Sequence, residues 1–183
     1  MSMKGQRTTA DYLPWNEMLV LVQKLARDKD YDFAVLIAVG SYTGLRISDL
    51  RTLRWHNLSA SKLEVVEKKT AKLRKIHLHE DLQLFLHQVR EQINPLPTAL
   101  LFDLSLQYTN RKLKRIAKDY QLDIRFSTHT FRKTFGRRIW AKNDYSEKAL
   151  ILLGQIFNHS SVAITKRYLG IRDNEIRDVY LNL

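Results

Sequence analysis

The chain has no cysteine, only three prolines in 183 residues, and 19 acidic residues against 31 Lys and Arg. Without thiols there is no disulfide scaffold and no thiolate metal centre, and the chain suits a reducing compartment. Its longest apolar run, residues 33–39, falls far short of the roughly 20 residues that cross a bilayer. Residues 1–14 lack the apolar stretch of a secretory signal, so the expected location is the cytoplasm. The six glycines form no G-x-x-x-x-G-K-[ST] phosphate loop, and ATP is not expected to drive the chemistry. The carboxylates form no cluster with metal-ligand spacing, and neither a metal nor another cofactor is expected. There are no repeats or low-complexity stretches. The length suits one domain, which can bury roughly 70% of the surface its unfolded chain exposes.

What is present in excess is positive charge, a formal +12. It is clustered. Residues 105–142 hold eleven Lys and Arg against two Asp, and residues 43–75 hold nine against three acidic residues. Clustered cations attract and steer polyanions, which points to nucleic acid over a merely solvated basic surface.

Hydrophobic spacing predicts a mainly helical domain with one small antiparallel sheet. Pro14 and Glu17 open a helix whose buried stripe is Met18, Val22 and Leu25. The next, through FAVLIAVGSY, is apolar on nearly every face and belongs at the centre of the core, with Gly44 ending it. A short helix follows, turning Ile47, Leu50 and Leu53 inward. Over residues 62–78 the period changes to two, with Leu63 and Val65 on one run and residues 74–78 on another, joined by the turn KKTAK. Helices resume after Asp81 and run until Asn94-Pro95, then over residues 110–120, and then from Ser127 or Thr128. Others start at Ser146, at Ser160 (closing at Gly170), and near Asp173.

Four places hold residues suited to chemistry. In Thr43-Gly44-Leu45-Arg46-Ile47-Ser48-Asp49-Leu50 an arginine follows a glycine turn, with an acid three residues on that a helix would bring alongside. Lys69 lies in the hairpin turn, flanked by Lys68 and Lys72. His129 and Arg132 share a helical face at i and i+3. His159 precedes Tyr168 by nine residues, with Thr165 between. Each alone has an ordinary reading: a helix-end ion pair, a solvated turn lysine, a surface pair, a core tyrosine.

In this order they resemble the four boxes of the tyrosine recombinases (phage-integrase family). TGLRISDLRTLRW is similar to the first arginine box and KTAKLRKIHL to the hairpin lysine and following strand. HTFRKTF resembles the His-x-x-Arg box, and FNHSSVAITKRYLG the histidine and nucleophile box. Two departures stand out: Phe157-Asn158 precede His159 where the family usually has Leu-Gly, and Lys133 stands where it often has His.

The resemblance implies a recombinase catalytic-domain fold (α+β, mainly α) and a catalytic set of Arg46, Lys69, His129, Arg132, His159 and Tyr168, supported by Asp49 or Thr165. It further implies site-specific cleavage and rejoining of double-stranded DNA through a 3′-phosphotyrosine. It implies partners too, other copies of the chain assembled as a tetramer on paired sites. Residues 1–183 are expected to be the catalytic domain alone, without the family's N-terminal DNA-clamping domain. The tail from residue 171 is expected to dock on a neighbouring copy. The residue types suit the task. A tyrosine can form a reversible phosphoester, and two arginines present forks that match phosphate oxygens. His159 can donate to a further oxygen, Lys69 can protonate the leaving 5′ oxygen, and His129 can assist proton transfer at Tyr168. The alternatives are a type IB topoisomerase-like enzyme, a non-catalytic basic DNA-binding domain, and a metal-dependent nuclease.

Overall fold

The computed structural model describes residues 10–58, 61–69, 71–171, 180 and 181. The expected tail helix from Asp173 lies outside the described residues, apart from Tyr180 and Leu181. The fold is mainly helical, with one two-stranded antiparallel sheet among the described residues.

Helix α1 (Trp15–Arg27) follows Pro14, whose φ of −51° already suits a helix, and buries Met18, Leu21, Val22 and Leu25. Helix α2 (Tyr31–Thr43) is buried throughout residues 33–41 and packs against α1. It ends where Gly44 turns left-handed at φ 62°, and a Cβ there would lie 2.6 Å from the Phe135 ring. Helix α3 (Ile47–Leu50) is one turn long, and Leu53 is buried just beyond it. A 3₁₀ turn (Trp55–Leu58) leads to strands β1 (Lys62–Val66) and β2 (Leu73–His77), paired from Lys62 opposite His77 to Val66 opposite Leu73. The alternation turns Leu63 and Val65 inward.

Helix α4 (Glu80–Ile93) begins one residue before Asp81, because the His79 ring caps the Asp81 amide. It ends at Asn94 in the left-handed region. Helix α5 (Leu106–Asp119) starts four residues before Asn110, because Ser105 Oγ accepts from the Tyr108 amide at 3.2 Å. Helix α6 (Thr128–Lys142) opens with a capping box between Ser127 and Thr130, and lies against α2. Helix α7 (Glu147–Phe157) is capped by Ser146. Helix α8 (Val162–Leu169) is capped by Ser161, one residue later than the expected Ser160, and Gly170 closes it.

The large core gathers side chains from α1, α2, β1, α4, α5 and the start of α6. A smaller apolar cluster is built from Trp140, Ala149, Leu150, Leu153, Phe157, Leu169 and Ile171, with Tyr168 packed against it. Phe157 and Tyr168, of this smaller cluster, lie beside His159 and Arg132.

Candidate active site

The last carbonyls of a helix have no partner within it and carry the negative end of its dipole. Arg132, Arg74 and Arg46 are oriented by such ends. Arg132 Nη1 donates to Gly44 O and Arg74 Nη2 donates to Thr43 O at 3.2 Å, both at the end of α2. Arg46 Nη2 donates to Phe157 O at 3.0 Å, at the end of α7. Arg132 is 4% exposed, its guanidinium lies 4.2 Å from the centroid of the Phe157 ring, and its buried Nη2 has no partner. Burial, and next the neighbouring charge of Arg46, bring its pKa down to about 10, so it remains a cation at neutral pH.

The ring of Phe157 also meets those of His159 and Tyr168 edge to face, at 5.4 and 5.5 Å between centroids, and these two lie 5.3 Å apart. The Tyr168 hydroxyl is buried and unpartnered. Burial raises its pKa above the ordinary phenol value, while Arg132 and Arg46 pull the other way. His159 Nδ1 is 3.1 Å from Thr165 Oγ1, a shorter contact than the 3.4 Å from that hydroxyl to Ser161 O. A Thr165 hydroxyl turned from Ser161 O to Nδ1 sets the tautomer that carries the ring proton on Nε2, where it can be donated. Burial, then Arg132, Arg46 and Lys69, hold the His159 pKa down to about 4, so the ring is neutral at physiological pH.

Arg46, Arg132, His159 and Tyr168 are thus brought together. Lys69 is exposed on the hairpin turn and acts on His159 through its charge. Lys72 lines an open cleft of about 410 Å³ with Asn158, His159 and Ser161. His129 is exposed on the first turn of α6, and partial burial with Lys133 and Arg132 lowers its pKa. None of the contacts among the described residues joins His129 to Tyr168.

Asp49 does not turn to Arg46. Its fully buried Oδ1 accepts the Lys68 amide at 3.0 Å and so ties the lysine turn to α3. Arg46 Nη1 instead donates to Glu67 Oε2 at 3.3 Å, and Arg74 Nη1 to Glu67 Oε1 at 3.2 Å. Sequence reasoning missed Glu67, Arg74 and Lys133. For Glu67 a signal existed: it continues the inward phase of Leu63 and Val65. Arg74 faces Val65 across the pair. Lys133 is 6% exposed, with Nζ 5.6 Å from the Tyr168 ring centroid, and burial pushes its pKa down.

The departure at residue 158 has a conformational explanation. Asn158 ends α7 in the left-handed region at φ 53°, where glycine is most at ease and asparagine is the best tolerated substitute.

The model of the phage integrase family matches residues 12–175. The chain is 31% identical over 153 residues to the probable integrase/recombinase YoeC of Bacillus subtilis (strain 168), covering 79% of this chain and 81% of that protein. The chain therefore belongs to the phage integrase family. Its fold is shared with solved recombinases. XerA recombinase superposes with a TM-score of 0.64 at 22% identity, over 93% of this chain and 64% of that one. The Tn1549 transposon integrase, solved with transposon right-end DNA, gives 0.67 at 17%, over 91% and 63%. A lambda integrase dimer bound to a COC′ core site gives 0.63 at 20%, over 87% and 47%. The chain spans about half to two thirds of the length of these solved chains.

Proposed function

We propose that this chain is the catalytic domain, residues 1–183, of a site-specific DNA recombinase that cleaves and rejoins strands through a 3′-phosphotyrosine at Tyr168. The observation that carries this reading is the buried Tyr168 hydroxyl, ringed by His159 and under the charges of Arg132 and Arg46. Tyr168 Oη attacks the scissile phosphorus while the bond to the 5′ oxygen breaks. Arg46 and Arg132 meet the non-bridging oxygens. An arginine has five donors, and each retains several beyond those spent on helix ends. His159 Nε2–H serves a further oxygen, Lys69 gives a proton to the departing 5′ oxygen, and His129, which does not touch Tyr168 in this structure, assists the transfer of the tyrosine proton once DNA is bound. The reverse steps rejoin the strand without external energy, since the phosphotyrosine conserves it.

The clustered basic stretches suit double-stranded DNA as substrate. The DNA-bound forms of lambda integrase and the Tn1549 integrase support the same partner here. Copies of the chain are proposed to act as a tetramer on paired sites, in the cytoplasm. Among the described residues no helix is long and apolar enough to cross a membrane.

A nicked duplex that loses its downstream strand after cleavage traps the covalent adduct. The wild-type chain is expected to accumulate a denaturant-resistant protein–DNA species and Tyr168→Phe none, while both bind the duplex alike. An adduct from the Phe variant would refute the assignment. Exchange of strands between two duplexes separates recombination from topoisomerase-like relaxation.

A further inference from the structure

Glu67 is a carboxylate buried to 5% exposure beside a proposed phosphate site. Such a charge repels the substrate, and burying it is costly unless it is paired. Among the described residues the fold pairs it with two arginines. Oε2 takes Arg46 Nη1 and Oε1 takes Arg74 Nη1, while the far Nη2 of each arginine is held by a helix-end carbonyl, Phe157 O or Thr43 O. Each guanidinium is pinned at both Nη atoms, which fixes its plane as well as its position. Glu67 also offsets crowding of like charge, because Arg46 and Arg74 both bear on Arg132 and Glu67 opposes them. Strand phase explains how it gets there, since Leu63, Val65 and Glu67 point inward from one side of the hairpin.

We propose that Glu67 is a positioning residue for the reaction: it holds the fork of Arg46 in the orientation that receives the phosphoryl oxygens, at a cost in ground-state attraction for DNA. This rests on the reading of the site given above. An interaction that opposes binding yet aligns a donor raises the cleavage rate on bound DNA rather than the affinity. Misorienting a donor in such a site costs on the order of 10- to 100-fold in rate.

The test is Glu67→Gln, which keeps shape and one acceptor but removes the charge. Duplex binding is expected to be equal or tighter than wild type, most visibly at low salt. Single-turnover adduct formation on pre-bound DNA should slow by about 10-fold or more. A 5′-bridging phosphorothiolate, whose sulfur leaves without a proton, should not restore the rate, because the defect lies at the phosphoryl oxygens. Cleavage within about twofold of wild type, rescue by the sulfur substrate, or parallel loss of binding and cleavage would each overturn the proposal. Should Glu67→Gln fail to fold, Glu67→Asp, which keeps the charge but is too short to reach both arginines, decides. Slowed cleavage with unchanged binding supports the role, and a wild-type rate refutes it. The wild-type lane separates the two levels. If it forms no adduct, the recombinase reading falls and takes this one with it. If it forms adduct as fast as Glu67→Gln does, only the role of Glu67 falls.

Discussion

Lys69 and Lys72 lie three positions apart on one tight turn, and the leaving oxygen needs a single proton donor. Lys69 is exposed and bears electrostatically on His159, while Lys72 borders the cleft beside the same ring. The turn is not loose at its base. The Glu67 amide donates to Lys72 O at 3.0 Å, the Ala71 amide to Glu67 O at 2.8 Å, and the Lys68 amide to Asp49. The backbone is therefore anchored on both sides of Lys69, and its four-carbon stem supplies the reach. Lys69→Ala is expected to cut cleavage of an ordinary phosphodiester by about 10²-fold, within the range for general acid catalysis. Cleavage of a 5′-bridging phosphorothiolate should stay near wild type. If Lys72→Ala shows that rescue and Lys69→Ala does not, the proton comes from Lys72.

At the scale of elements, the seating of α8 governs where Tyr168 points. Helix α6 passes beneath it at Gly136. A Cβ added there would lie 2.5 Å from Leu169 Cδ2 and 3.1 Å from the Phe157 ring. Two effects compete in Gly136→Ala. Helix propensity favours alanine by about 0.5–1 kcal/mol. Overpacking against Leu169 and Phe157 costs about 1–3 kcal/mol. Overpacking wins, and the strain is relieved by moving α8 and the Phe157 ring. The expected outcome is a lower melting temperature together with a loss of adduct formation larger than the loss of DNA binding. A variant that melts higher and cleaves normally would show that α6 and α8 have room to separate without disturbing Tyr168. Arg137 reinforces the contact, since its Nε donates to Leu169 O at 2.8 Å and its Nη2 to Gly170 O at 2.9 Å at the end of α8.

For the whole molecule, the burial of His159, and after it the charges of Arg132, Arg46 and Lys69, shape the dependence of stability on pH. His159 titrates near 6.5 when unfolded and near 4 in the fold. Between those values the unfolded chain binds a proton that the native chain excludes, so stability rises with pH across the window and is lost on acidification from about 6.5 towards 4. His159→Gln removes this contribution while other groups titrate as before. Its melting temperature relative to wild type is therefore expected to improve as pH falls from 7.5 to 4.5. A difference that stays constant across that range would mean the ring is freely protonated in the fold.

Periodicity and order along the chain determined most of the architecture. The uniformly apolar residues 33–39 had to be central, the period of two over residues 62–78 had to be a hairpin, and the four boxes stood in the order of the phage integrases. Each of those signals is local, carried by near neighbours whose spacing sets which face is apolar. Helix ends shifted by a residue or more where a particular hydroxyl or ring reached a particular amide, as at Ser105, His79 and Ser161. The partner of Arg46 was not legible, because Asp49 lies only three residues on while Glu67 lies 21 residues away. Only the docking of the hairpin on α3 decided between them. It sent Asp49 to a backbone amide and brought the inward phase of β1 up to the arginines. The burial of Arg132 on the ring of Phe157, and of Lys133 under Tyr168, likewise followed from packing α6 against α7 and α8. A linear sequence states which residues a helix offers, but the charge they feel depends on the helices that close over them.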